Sequence, residues 1–200
     1  MRLIQEAADQ ELIWQQPSAF KEAHELRAGD EVLATLDWGS PWGTLATART
    51  AEGEWTFKRT GFWQQRINVR PVGSEREVAT FVPDWRGNGT LTIESGRIFR
   101  WSGKGILGLE KLWQEREDAP PLIGFKQVGS LKTEARVMLS AAAASLPETT
   151  QLDDLYIPLP PEMMSPPSQP LIELPLLVTL GFYLVVLAAR DAAAAAAATT

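Results

Sequence analysis

The sequence contains no cysteine and a single histidine, His24. The first absence excludes disulfide bonds, thiolate zinc sites and cysteine nucleophiles. The second excludes a metal site built from several histidines. His24 lies between Glu22 and Glu25, and we expect it on the exposed face of an early strand. Because no GxSxG motif accompanies it, we predict a non-enzymatic protein with no catalytic residue, cofactor or metal site.

The N-terminus lacks the pattern of a secretory signal. Glu6, Asp9 and Glu11 fall within the first 14 residues, and no apolar segment of roughly 7–15 residues follows Arg2. Together with the absence of cysteine, this pattern predicts a cytoplasmic protein.

The formal net charge is -6, which argues against general nucleic-acid binding. The charge is unevenly spread, because residues 55–104 carry 9 basic and 4 acidic side chains whereas the segments on either side are net acidic. We interpret these basic side chains as solvated arginines on alternating strand positions, because charge blocks alone say little about partners. The alternative interpretation is a local anion-binding face, formed by a basic middle between acidic ends.

Short strands separated by turns recur from about residue 20 to residue 139. Trp55 and Phe57 alternate with polar neighbours, as do Ile67 and Val69, which is typical of strands with one buried face. Residues 86–89 read Arg-Gly-Asn-Gly, a turn in which Asn and Gly accept positive φ. Strands this short and regular predict an antiparallel meander that closes into a barrel or sandwich.

Tryptophan is abundant in this region, and we interpret the eight tryptophans as packing residues because each buries a large apolar area. A stacking platform for bases or sugars is the functional alternative. The eight are Trp14, Trp38, Trp42, Trp55, Trp63, Trp85, Trp101 and Trp113.

Two short motifs have chemical interpretations that we do not adopt. Residues 103–108 match GxGxxG, but a dinucleotide site needs that motif inside a βαβ unit, and the neighbouring strands are expected to be antiparallel. We therefore predict a glycine-rich connection. Asp153 and Asp154 are adjacent acids in a polar segment, and we expect both to be solvated.

Residues 140–170 form an Ala/Pro-rich segment that we interpret as a linker or insertion. Seven of the 14 prolines fall between Pro147 and Pro170, so most of this stretch is excluded from helix. We expect it to act as a spacer, with a protein partner bound through a PxxP motif as the alternative.

The C-terminal segment, residues 171–198, predicts a hydrophobic helix. Residues 174–189 carry no charge, and their apolar side chains fall on every side of a helix, which is typical of a helix in a protein core or a membrane. The run is shorter than the roughly 20 residues that a bilayer requires, which favours burial. A tail anchor formed by residues 174–189 is the alternative. If the helix is buried, the side chains expected to pack in the core are those of Leu177, Leu180, Leu184 and Leu187.

Four segments resemble, in pattern and order, the tubby C-terminal-like superfamily, which includes phospholipid-scramblase-like and LURP-one-related proteins. They are EWTFKRTGFWQQRINVR, GNGTLTIESGRIFRW, PLIGFK and PLLVTLGFYLVVLAA. Over residues 20–139 and 171–190, the resemblance implies a closed antiparallel barrel of about twelve strands threaded by a hydrophobic C-terminal helix. The proline-rich insertion departs from the family pattern. The calcium-binding segment of scramblases has no counterpart here, so calcium-driven lipid scrambling is not implied.

The resemblance also suggests a ligand, because tubby proteins bind phosphoinositide head groups through basic side chains. Lys58, Arg59, Arg66 and Arg70 in the basic middle are the candidates for an anion or lipid site. An anionic lipid or membrane surface is accordingly the expected partner.

A barrel of about twelve strands is too wide for its own side chains to fill, since eight strands already enclose about the space that side chains occupy. The 16 uncharged residues form a helix of about 24 Å, which suits that interior. We therefore predict a single domain, with barrel strands in residues 1–139, the linker in 140–170 and the core helix in 171–198. The functional hypothesis is a non-enzymatic tubby-like β-barrel module.

Overall fold

A computed structural model of the chain describes residues 1–18, 22–40, 43–104, 110–128, 133–146 and 173–198. In those residues it contains twelve strands, a single 3-10 turn (Gln5–Ala7), a short helix α1 (Ala141–Ala144) and a long helix α2 (Glu173–Ala197). The strands are β1 (Leu12–Gln15), β2 (Ala23–Ala28), β3 (Glu31–Trp38), β4 (Ala46–Thr50), β5 (Glu54–Thr60), β6 (Arg66–Pro71), β7 (Ala79–Pro83), β8 (Gly89–Ile93), β9 (Ile98–Lys104), β10 (Glu110–Gln114), β11 (Ile123–Val128) and β12 (Glu134–Leu139).

The strands form one closed antiparallel barrel, which confirms the predicted fold. Each strand pairs with the next along the chain, and β1 closes the barrel against β12 with Leu12 opposite Val137. The alternation of apolar and polar residues in β5 places them on opposite faces of the strand. Trp55 and Phe57 are buried, and Lys58 is exposed.

The antiparallel order places every connection that follows an odd-numbered strand at the same end of the barrel. This end includes residues 61–65, between β5 and β6, and residues 84–88, between β7 and β8. We call it the aromatic end, after the side chains described below. The connections after even-numbered strands, such as residues 29–30 and 94–97, form the opposite end.

Helix α2 fills the barrel. Every residue from Leu174 to Leu187 is buried, including the four leucines proposed as core positions, and rings of the helix stack on rings of the wall. Phe182 lies parallel to Trp14 with centroids 4.5 Å apart, and Tyr183 lies against Trp38 at 5.0 Å. The apolar residues on all sides of α2 are satisfied because strands surround it on all sides.

Ion pairs hold α2 at both ends of the barrel. At the opposite end, where the helix begins, Arg97 pairs with Glu173. Burial raises the pKa of the Glu173 carboxyl, and the Arg97 guanidinium opposes that rise. At the aromatic end Arg59 binds Asp191 through two contacts of 2.5 and 3.0 Å, and Arg190 pairs with Glu22. Beyond these pairs, the alanines up to the end of α2 are exposed.

The segment between barrel and helix is described only in part. Ser140 caps α1 by accepting a hydrogen bond from the backbone N–H of Ala143. The proline-rich stretch with Asp153 and Asp154, and most of the GxGxxG segment, lie outside the described residues.

His24 is buried, and the expectation of an exposed histidine was wrong. It is 4% exposed and occupies the inner face of β2, with its ring 5.1 Å from that of Phe182. The alternation of β2 explains this, because His24 shares a face with Leu26 and Ala28. Burial, with a smaller contribution from Arg190, lowers the pKa of His24 to about 4, so its imidazole is neutral at pH 7.

Candidate functional site

Three large aromatic side chains stand almost fully in solvent at the aromatic end. Phe62 is 85% exposed, Trp63 is 91% exposed and Trp85 is 86% exposed. Phe62 and Trp63 meet edge to face with centroids 5.3 Å apart, and the Arg86 guanidinium lies 4.5 Å above the ring of Trp85. The two connections that carry them are separated by a single hairpin of the barrel wall. We call these three residues the aromatic tips.

The backbone of each connection fixes its aromatic residue outside the barrel. Gly61 has a φ of +85°, and a Cβ there would lie 2.2 Å from the carbonyl oxygen of Gln64, so only glycine fits this turn. In the next connection, the Asp84 carboxylate accepts hydrogen bonds from the backbone N–H groups of Arg86 and Asn88 at 2.8 and 2.9 Å. These constraints leave the aromatic rings beyond the last residues of the strands.

Most basic side chains in the basic middle of the chain, residues 55–104, form ion pairs. Of its nine basic side chains, Arg59, Arg70, Arg76, Arg97 and Arg100 each pair with a carboxylate. The other four are exposed, and in the described part of the chain they form no ion pair. All four lie on the half of the barrel toward the aromatic end, and they are Lys58, Arg66, Arg86 and Lys104.

The structure divides the four residues proposed for an anion site. Lys58 and Arg66 are exposed on the outer faces of β5 and β6, where their strands pair through Lys58–Asn68 and Thr60–Arg66. Arg59 points inward to Asp191, and Arg70 lies farther toward the opposite end, where it contacts Glu75 and Glu77 at 2.8 Å each. Only Lys58 and Arg66 are therefore available as neighbouring free cations.

The tryptophans separate into two groups. Five are buried in the barrel and serve as packing, whereas Trp63 and Trp85 are exposed; Trp42 lies outside the described residues. Residue type and local composition did not distinguish the exposed pair. The sequence feature that could have identified the exposed pair is the glycine close to each tryptophan, in Gly61-Phe62-Trp63 and Trp85-Arg86-Gly87, because glycine marks turns. The five buried residues are Trp14, Trp38, Trp55, Trp101 and Trp113.

A cavity of about 150 Å³ lies between the last buried turn of α2 and the barrel wall near the aromatic end. Its wall is mostly apolar and includes Phe81, Trp101 and Leu184. Three charged side chains also line it, namely Arg59, Lys111 and Asp191.

Lys111 enters this cavity from β10. It shares the inner face with Trp113 and lies opposite Gly103 of β9, where the missing side chain leaves room for it. A Cβ at Gly103 would be 3.1 Å from the Lys111 Nζ. Burial lowers the pKa of Lys111, and the charge of Asp84 opposes this shift. The Lys111 side chain is thus partly desolvated and lines a mostly apolar cavity.

No group of three His, Asp or Glu side chains within the described ranges is placed to hold a metal ion. Comparison with known proteins found no matching family model, curated protein or solved structure. The candidate sites are therefore the aromatic tips with their free cations and the cavity beside Lys111.

Proposed function

We propose that this chain is a non-enzymatic, tubby-like β-barrel module that docks on anionic membrane surfaces through its aromatic end. The observation that carries the proposal is the exposure of Phe62, Trp63 and Trp85 beside unpaired cations. The strand number and the threaded helix agree with the architecture that the tubby-like resemblance implies.

The aromatic tips have the chemistry of a membrane interface. Aromatic rings, and those of tryptophan above all, are favoured at the level of lipid head groups, where an apolar body and a polar edge are both accommodated. Leaving three such rings in water is costly, and the described parts of the barrel provide no partner that covers them. A bilayer would cover all three at once, because they lie at one end.

The free cations determine which lipid charge the protein should prefer. Arg66 and Arg86 flank the tips, and a basic side chain near an anionic leaflet contributes about 1 kcal/mol to binding. The carboxylates nearby include Asp84, which already accepts two backbone hydrogen bonds, and Glu110, which lies opposite Lys104. The local excess of positive charge favours anionic over neutral lipid.

The competing candidate is a tail-anchored protein held by residues 174–189. Helix α2 is long and apolar enough to cross a bilayer, but most of its apolar stretch is buried inside the barrel. A span would require the helix to leave the barrel, which would remove its filling. We therefore favour docking through the aromatic tips.

Vesicle co-sedimentation tests the proposal. We expect the intact chain to bind vesicles of phosphatidylcholine with phosphatidylserine at low salt, and to bind phosphatidylcholine vesicles weakly. The variant Trp63→Ser/Trp85→Ser should lose most binding, and Arg66→Gln/Arg86→Gln should lose about 2 kcal/mol, roughly 30-fold. Added salt should weaken binding because it screens these charges.

Two variants at the opposite end serve as matched controls. Ile98 is apolar and 51% exposed, and Arg116 is an exposed cation. Ile98→Ser and Arg116→Gln should bind as the unchanged chain does. Equal recovery on neutral and anionic vesicles, or equal binding by Trp63→Ser/Trp85→Ser, would contradict the proposal. Resistance of the bound protein to carbonate washing would instead favour the tail anchor.

A further inference from the structure

The cavity beside α2 has the volume of a small ring. It is partly open to solvent, and its volume of about 150 Å³ is close to that of an enclosed apolar cavity that binds benzene when engineered into a protein core. Its wall includes flat or branched side chains, among them Phe81, Trp101 and Leu184. Such a wall suits a compact apolar body and offers little to a long polar chain.

Among the described side chains that line the cavity, Lys111 is the charged group without an ion pair, and Asp84, which lies outside that lining, acts on it only from beyond ion-pair distance. Arg59 and Asp191 bind each other through two contacts, so their charges offset each other. Lys111 remains, and in the described part of the chain no carboxylate forms an ion pair with it. Its partial desolvation means that a bound anion would replace hydration that the ammonium has already lost.

We infer that this cavity binds a compact monoanionic carboxylate with an aromatic or branched apolar body, whose carboxylate accepts a hydrogen bond from the Lys111 Nζ. This site goes beyond the proposed membrane docking and does not depend on it. The single unbalanced charge favours a monoanion, and the small volume selects a free small molecule. Gly103 does not line the cavity, but its missing side chain leaves room for the ammonium, since a Cβ there would be 3.1 Å from the Lys111 Nζ.

Benzoate and its neutral isostere benzamide are the probes. Binding to the full chain can be followed by NMR titration of the tryptophan indole N–H signals, since Trp101 lines the cavity, and the Trp101→Phe variant assigns its signal. We expect benzoate to bind saturably and more tightly than benzamide. A hydrogen bond to a charged group predicts a difference of roughly 10- to 100-fold.

Lys111→Met removes the charge and keeps the length of the side chain. This variant should weaken the binding of benzoate by the same factor of roughly 10- to 100-fold and leave the affinity for benzamide unchanged. Lys104→Met is the matched control, because Lys104 is an exposed lysine at the same end of the barrel, and it should bind both probes as the unchanged chain does. Near-native indole spectra of each variant establish that it is folded.

Several results would overturn the inference. They are the absence of saturable benzoate binding to the unchanged chain, equal affinities for the two probes, and unchanged benzoate affinity in Lys111→Met. Trp63→Ser/Trp85→Ser separates this site from the membrane proposal. It should keep benzoate binding whether or not it loses vesicle binding, and loss of benzoate binding in this folded variant would contradict the cavity assignment.

Discussion

Trp113 donates a hydrogen bond from its indole N–H to the main-chain carbonyl oxygen of Leu177, at 2.9 Å, inside the barrel. One turn farther along α2, Gly181 faces the same wall. A Cβ built on Gly181 would lie 2.8 Å from the Trp113 Nε1 and 2.4 Å from the Cζ of Phe125. The helix therefore approaches β10 and β11 closely because residue 181 has no side chain.

Gly181→Ala should destabilise the protein although alanine is the better helix former. The substitution gains about 1 kcal/mol in helix propensity, but overpacking of a filled core costs typically about 1–3 kcal/mol, and two rings would have to move. We expect a net loss in the free energy of unfolding, measured by urea denaturation at pH 7. A variant as stable as the unchanged chain, or more so, would mean that α2 is not held this close to the wall.

The strands should not fold without α2. Leu177 and Leu180 are fully buried, Leu184 and Leu187 are nearly so, and each contributes roughly 1.5–3 kcal/mol by burial. Together they rival the whole stability of a typical domain, about 5–15 kcal/mol. Residues 1–170 should therefore aggregate or lack a cooperative thermal transition. Leu180→Asp should behave similarly because it places an unpaired charge in the core.

If residues 174–189 were a tail anchor, residues 1–170 should fold without them. If α2 were an appendage, residues 1–170 would form a soluble barrel with a sharp thermal transition and a native near-UV circular dichroism signal from its tryptophans. Such behaviour would contradict the burial of α2.

The free energy of unfolding should decrease as the pH falls, because His24 is buried in its neutral form. Its pKa is about 4 in the folded chain, against the ordinary histidine value of 6.5, so the unfolded chain takes up a proton first as the pH falls. Stability from the neutral imidazole is complete above about pH 6.5 and is lost between that pH and about 4. From pH 7.5 to pH 5 the loss attributable to His24 should be about 2 kcal/mol.

His24→Leu isolates this contribution, since leucine fills the buried position and does not titrate. The difference in unfolding free energy between the variant and the unchanged chain should shift by about 2 kcal/mol in favour of the variant as the pH falls from 7.5 to 5. A difference that is independent of pH would show that His24 does not titrate as a buried group.

The barrel and its filling were predictable because they depend on patterns along the chain. Alternation in β5 and β6 predicts which residues face inward, and the apolar residues on every side of 174–187 predict a surrounded helix. His24 was misassigned because its neighbours Glu22 and Glu25 suggested solvent. The side-chain alternation of β2 with Leu26 would have placed it inside.

The candidate sites depend on where strands end and how they pair, which local composition does not specify. Trp55 and Trp63 are the same residue type in the same basic segment, yet one is buried in β5 and the other stands past its end. Arg66 is free and Arg70 is paired because the β6–β7 connection brings Glu75 and Glu77 to Arg70 and not to Arg66. The cavity similarly forms where Leu184 of α2 faces Trp101 and Lys111 of the barrel wall, which are distant from α2 in the sequence.

The most direct test of membrane docking is an environment-sensitive dye beside an aromatic tip. The chain has no cysteine, so Gln64→Cys, at an exposed position next to Trp63, can be labelled at one position with the fluorophore NBD, and Ser95→Cys in the β8–β9 turn provides the control at the opposite end. On addition of phosphatidylserine-containing vesicles, the probe at 64 should shift to the blue and brighten, and the probe at 95 should not change. Equal responses at both positions, or none at 64 while the protein sediments with vesicles, would contradict docking through the aromatic end.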